Sequence, residues 1–172
     1  GAGAAGAALR RWQVAVLQQL LLHISGRNTT VGFLNGVTGI AQVVCAAFGS
    51  DRDRYASVTD LQQLSGTAPV TRQSGKTKTV LRRRACPKFL HQTFHELADH
   101  SRKSSRWASA YYDYLRQSLG KKHHAALRAL AFKWLRILFR CWHDRVQYDE
   151  STYLEALHKR HSPLLHTAAS SI

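Results

Sequence analysis

Ser74 and Gly75 lie side by side in the stretch APVTRQSGKTKTVLRRRACPKFLHQ, residues 68–92, with Arg72, Lys76, Lys78, Arg82, Arg83, Arg84 and Lys88 around them and no carboxylate in between. Two kinds of chemistry suit these residues. Lysine and arginine donors neutralise phosphates, so the segment would bind DNA or RNA with a steep salt dependence. A serine exposed by a flexible glycine can also act as a nucleophile at a phosphoryl group whose charge nearby arginines stabilise. The same residues describe a solvated basic run with a turn serine, and residue types alone leave these readings open.

The whole chain leans the same way. Its 172 residues are 44% hydrophobic and 20% charged, enough for one domain with a real core, or for a domain with an appended piece. Against 25 Lys and Arg stand only 10 Asp and Glu, a formal charge of +15 with a pI near 10.5. Such an excess repels itself in a compact state and is usually offset by a polyanionic partner, with nucleic acid foremost. Cys45, Cys86 and Cys141 are far apart and odd in number, which points to reduced thiols in a cytosolic chain, buried or inert, and not to a disulfide framework or a zinc knuckle. The apolar run after Arg10 and Arg11 is interrupted by Gln13, Gln18, Gln19 and His23, so neither a signal peptide nor a membrane span is expected. A chain without methionine reads as a fragment or as the tail of a longer protein.

Other candidates are secondary. On the 123–144 segment, Lys133, Arg136 and Arg140 fall together on one helical face and extend the expected polyanion-binding surface. HELADH, residues 95–100, approaches the zinc-protease signature H-E-x-x-H, but Asp99 stands where the second histidine is required. His91 and His95 share a face without a third ligand, so no metal site is expected. His123 and His124 read as a helix start or a phosphate contact. Helical spacing places Trp107, Tyr111 and Tyr114 in the core, whereas Tyr112 points away and is the candidate for stacking on an unpaired base.

These residues need helices to hold them. Residues 1–8 are low-complexity Gly and Ala, residues 9–33 read as a linker helix and turn, and residues 34–67 carry Gly36 and Gly39 ahead of an apolar helix. Two glycine turns before a helix suggest a degenerate helix-hairpin-helix able to approach a phosphate. Ser57 or Thr59 can cap a helix that ends at Gly66. The basic loop follows, with room for a short hairpin over residues 69–81. Pro87 opens a helix with Leu90, Phe94 and Leu97 inward, and another runs over about 104–119 to Gly120. HHAALRALAFKWLRILFRCWHD places Leu127, Leu130, Trp134, Ile137 and Cys141 on one apolar stripe. A last helix, capped by Asp149 or Ser151, completes a compact, mainly α domain over residues 68–165, with 166–172 as a tail.

In order, the blocks FGSDRDRYASVTDLQQLSGTAPVTRQSGK, VLRRRACPKFLHQTFHELADHS and WASAYYDYLRQSLGKKHHAALRALAFKWLRILFRCW closely resemble the C-terminal transposase domain of the insertion-sequence one-ten/one-sixteen/nine-oh-two family, which includes bridge-RNA-guided recombinases and Piv-type DNA invertases. The resemblance covers about residues 34–165. It departs most before residue 48, where Asn35 replaces the proline of the family's L-P-G-x-G hairpin and an extra residue separates the glycines.

The resemblance implies a serine nucleophile at the position of Ser74, forming a phosphoserine-linked strand by transesterification before strand exchange and religation. It also implies a separate RuvC-like N-terminal half whose four acidic residues hold magnesium, so no cofactor is expected within this chain. The implied partners are DNA and a structured guide RNA, with homo-oligomerisation of the full-length protein in the bacterial cytoplasm, at the nucleoid, and no membrane. Alone, the chain is expected to bind nucleic acid and to cleave poorly or not at all. The competing reading is a non-catalytic basic nucleic-acid-binding helical module, a decayed transposase fragment in which Ser74 is only a turn residue.

Overall fold

The computed structural model describes Phe48, residues 53–144, Val146 and residues 148–160. The expected helix over residues 9–24 and the glycine turns at Gly36 and Gly39 lie outside the described residues. Within them the chain is mainly helical. Helix α1 spans Val58–Leu64, strands β1 and β2 span Val70–Ser74 and Thr77–Leu81, and α2 spans Lys88–Ser104. Helix α3 covers Arg106–Asp113 and continues as a π-helical turn over Tyr114–Ser118; α4 covers His123–Asp144 and α5 covers Glu150–Lys159.

Local chemistry explains most of these boundaries. The Asp60 carboxylate accepts from the Ser57 N–H at 3.0 Å and fixes the start of α1. Gly66 ends that helix at φ 70, and any Cβ there would collide with the Cys86 Sγ. Pro87 precedes α2, where its missing N–H costs no hydrogen bond. Gly120, at φ 58, closes the turn after α3, and the Lys121 N–H reaches back to the Leu115 carbonyl at 3.0 Å. Asp149 accepts from the Ser151 and Thr152 N–H groups at the head of α5. The Ser151 and Thr152 hydroxyls also donate to this carboxylate, and they, more than the N–H groups, hold its pKa down at about 2.

Helix α4 is the central beam. Leu127, Leu130, Ala131, Trp134, Leu135, Leu138 and Trp142 are buried along it. The stripe therefore ends on Leu138 and Trp142 instead of the expected Ile137 and Cys141, both only half-buried. Spacings of three and four fit two adjacent stripes on a helix with 3.6 residues per turn, and the neighbours decide which one faces inward. Leu90, Phe94, Leu97 and Ala98 of α2 and Trp107 and Ala108 of α3 complete the core with Leu61 of α1. Phe48 adds an edge-on contact to Trp142, with ring centroids 5.4 Å apart.

Polar groups in this core are paired. Trp134 Nε1 donates to Ser101 Oγ at 2.8 Å, and Trp107 Nε1 donates to the Tyr148 hydroxyl at 2.7 Å. Gln62, buried on α1, donates to the Phe132 carbonyl at 3.0 Å and ties α1 to α4. The break between α2 and α3 falls at Ser105, whose backbone is extended. Glu150 bridges it from α5, accepting from the Ser105 hydroxyl and from the Arg106 N–H, each at 3.1 Å.

Candidate nucleic-acid interface

The basic loop is a two-stranded antiparallel hairpin with the register Val70↔Leu81, Thr71↔Val80, Arg72↔Thr79, Gln73↔Lys78 and Ser74↔Thr77. The Gly75 backbone, at φ 56, makes the two-residue connection, a conformation that side chains with a Cβ rarely adopt. Val70 is half-buried and every other strand residue is exposed, so the hairpin projects from the helical body.

Strand alternation sorts its side chains. Arg72 and Ser74 share one face with Thr77 and Thr79, and Lys78 lies on the other face with Gln73. Lys76 occupies the turn beside Gly75. The hairpin thus sets one guanidinium, one serine hydroxyl and two threonine hydroxyls on a single exposed strip, with no carboxylate among its residues. Such a strip suits a phosphodiester, which accepts hydrogen bonds and carries negative charge.

The remaining cations are not crowded around Ser74. Arg82, Arg83 and Arg84 follow the end of β2, about 14 Å from the turn at the usual rise per strand residue. Arg82, Arg84 and Lys88 are exposed, but Arg83 is half-buried and its Nε makes no hydrogen bond. On α4, Arg136 and Arg140 are exposed, the latter 3.5 Å from Asp144. Lys133 shares their face, yet its Nζ lies 3.8 Å from the centroid of the Tyr111 ring. Burial, and then the nearby Arg136 charge, lowers the Lys133 pKa to about 8. Lys133 is directed into the domain's edge, not toward a phosphate.

The structure joins histidines that are far apart in sequence. His95 Nε2 and His124 Nδ1 lie 3.1 Å apart, the His91 and His95 rings stack at 5.9 Å, and the Tyr112 hydroxyl meets His123 Nδ1 at 2.7 Å. Desolvation lowers the His95 pKa to about 4, helped by His91, His124, Arg128 and His123. His91 is lowered too, by burial and then by Arg82 and Arg128. Neutral imidazoles can ligate metals, but among the described residues no group of three His, Cys, Asp or Glu side chains is placed to hold one.

One further expectation changes. Tyr112 is not open for stacking: Arg102 lies over its ring at 5.1 Å, and its hydroxyl is held by His123. The exposed aromatic is Phe89 in the first turn of α2, which the reading of apolar spacing passed over because it lies off the Leu90–Phe94–Leu97 face. Cys141 matches the expectation of an inert thiol, since burial raises its pKa to about 11. No described helix is long and apolar enough to cross a membrane.

An exposed basic hairpin on a helical body defines the class, a mainly α domain with a strongly cationic surface. Residues 33–113 match the model of the Transposase IS116/IS110/IS902 family, and the chain carries that family's transposase domain. A Streptomyces coelicolor protein named as the mini-circle transposase for IS117 is 32% identical over 126 residues, covering 73% of this chain and 28% of that protein. The insertion element IS900 uncharacterized 42 kDa protein of Mycobacterium paratuberculosis is 33% identical over 108 residues, covering 62% of this chain and 27% of that protein. The aligned segments thus span little more than a quarter of the curated relatives' lengths.

Proposed function

We propose that this chain is the DNA-binding C-terminal part of an insertion-sequence transposase and that Ser74 is its nucleophile for DNA strand cleavage and exchange. The observation that carries the reading is the position of Ser74 at the tip of an exposed hairpin, on the same strand face as Arg72 and beside the left-handed Gly75. A nucleophile needs an unobstructed approach to phosphorus, and a hairpin tip provides it.

In this reaction Ser74 Oγ forms a bond to phosphorus while one phosphorus–oxygen bond to deoxyribose breaks, and the released hydroxyl takes a proton. Arg72 holds a non-bridging phosphate oxygen and offsets the charge that builds on it. Attack of a new strand's hydroxyl on the phosphoserine reverses the step, so no nucleotide need be hydrolysed. The hairpin has no carboxylate or imidazole to take the serine proton, and the described residues do not suit a magnesium ion. The acidic half that the family resemblance implies lies outside this chain; a structured guide RNA is proposed as a partner alongside DNA, and homo-oligomerisation is proposed for the full-length protein.

The test is Ser74→Ala in the full-length transposase that bears this domain. DNA affinity should stay within twofold of the parent, and the covalent protein–DNA adduct on denaturing gels should fall to background. An undiminished adduct would refute the assignment. The same exposed turn also suits a second reading, a basic module that only binds nucleic acid and uses Ser74 and Gly75 to reverse the chain. That reading is favoured if no adduct forms with either protein while binding persists. The isolated 172-residue chain should bind without strand transfer, and robust magnesium-dependent transfer by it would overturn the division of labour.

A further inference from the structure

Among the described residues, Phe89 is the one phenylalanine, tyrosine or tryptophan that is mostly exposed to solvent, at 64%. Of the five large apolar side chains exposed among the described residues, Val80 (62%), Leu81 (40%) and Phe89 fall within ten consecutive positions, with Val80 and Leu81 on opposite faces of β2. Those positions also hold Arg82, Arg84 and Lys88, all exposed, and contain no carboxylate. On the outward side of α2 the first acid is Glu96, two turns beyond Phe89 and engaged by Gln92 at 2.8 Å.

Phosphate binding explains the cations and leaves the apolar atoms unexplained. A phenylalanine ring has no hydrogen-bonding atom, so it gains nothing from a phosphate or from a groove edge. It gains from a flat apolar partner, and an unpaired base has two such faces. Pro87 and the first turn of a 17-residue helix hold the ring's backbone in place, so little ordering is needed when a base arrives.

We propose that the segment from the foot of the hairpin to the first turn of α2 is a binding site for unpaired nucleotides, with Phe89 as the stacking platform and Arg82, Arg84 and Lys88 as backbone contacts. The site rests on the nucleic-acid-binding reading and sharpens it: the domain distinguishes opened or single-stranded nucleic acid from intact duplex at a place that begins at the foot of the hairpin, away from Ser74 at its tip. Charge complementarity favours nucleic acid over another protein surface, since the apolar residues sit inside an uncompensated cationic segment.

The experiment is fluorescence anisotropy of the purified chain with a labelled 12-mer single strand and with the duplex of the same sequence, at one fixed salt concentration. Phe89→Ala should weaken single-strand binding about tenfold, as loss of one stacked base does, and change duplex binding less than twofold. Phe89→Trp should restore single-strand affinity, and a 2-aminopurine base in the strand should be quenched by the parent and not by Phe89→Ala. Equal effects on both ligands, or an unchanged single-strand affinity, would overturn the stacking site while leaving the nucleic-acid reading intact. If the parent chain binds neither ligand, both readings fall. Unchanged nucleic-acid binding with a loss of self-association in sedimentation would assign Phe89 to a contact between copies of the chain.

Discussion

At the scale of single residues, Lys133 shows how far helical spacing can be trusted. Spacing groups it correctly with Arg136 and Arg140, yet a four-carbon stem can fold either outward or along its own helix, and here the ammonium lies against Tyr111. Its charge is engaged within the domain. Lys133→Gln should therefore leave DNA affinity nearly unchanged and lower stability by about 1 kcal/mol, the scale of a partly shielded cation–π contact. Arg136→Gln should do the opposite. Parallel urea melts and binding titrations would check both, and a loss of affinity from Lys133→Gln equal to that from Arg136→Gln would place Lys133 back on the binding face. Phe89 and Tyr112 carry a related lesson. Both lie off an apolar stripe, but only contacts from other elements, Arg102 over the ring and His123 at the hydroxyl, reveal that Tyr112 is covered.

At the scale of elements, the contact between His95 on α2 and His124 on α4 invites a pH prediction. The folded His95 pKa of about 4 lies below its ordinary 6.5, so the unfolded chain takes up the proton first on acidification. The folded state should then lose stability as pH falls from about 6.5 toward 4, with no contribution from His95 above that window. Solvent exposure of the pair tempers the size of the effect. Thermal melts between pH 7.5 and 4.5 would show it, and His95→Gln should flatten the decline; a Tm independent of pH across that range would remove the argument. This link joins residues 29 apart, and nothing in their local sequence announces it. Local signals did announce much else: Pro87 before α2, Gly120 after the π-helical turn, Asp149 at the head of α5, and a hairpin where Gly75 allows a two-residue turn. The inward face of α4 was legible only in part, because Leu138 and Trp142 are selected over Ile137 and Cys141 by what packs against them. Of the candidate site, residue identities and charge were legible in sequence, whereas strand register, which sets Arg72 beside Ser74 and Lys78 behind it, required the fold.

At the scale of the whole molecule, the +15 charge is spread unevenly, since the stretch between Asp60 and Glu96 holds seven Lys and Arg and no acid. Binding to duplex DNA should weaken linearly on a log–log plot against salt. Replacing Arg82 and Arg84 by glutamine should reduce that slope by about 2 if each neutralises one phosphate, and Arg83→Gln should leave it unaltered because that side chain is partly turned inward. A salt series on the two variants and the parent decides this, and an unaltered slope in the double variant would remove the hairpin's foot from the interface. The Glu150 carboxylate has a different kind of consequence. It completes the start of α3 from 44 residues farther along the chain, and Tyr148 completes Trp107 from 41 residues away. During synthesis, α3 leaves the ribosome with these donors unanswered for several seconds, at the usual pace of about 5–20 residues per second. The domain reaches its final form only after nearly all of its described length has been translated, and the nascent chain in that interval is the species a chaperone or a protease would meet.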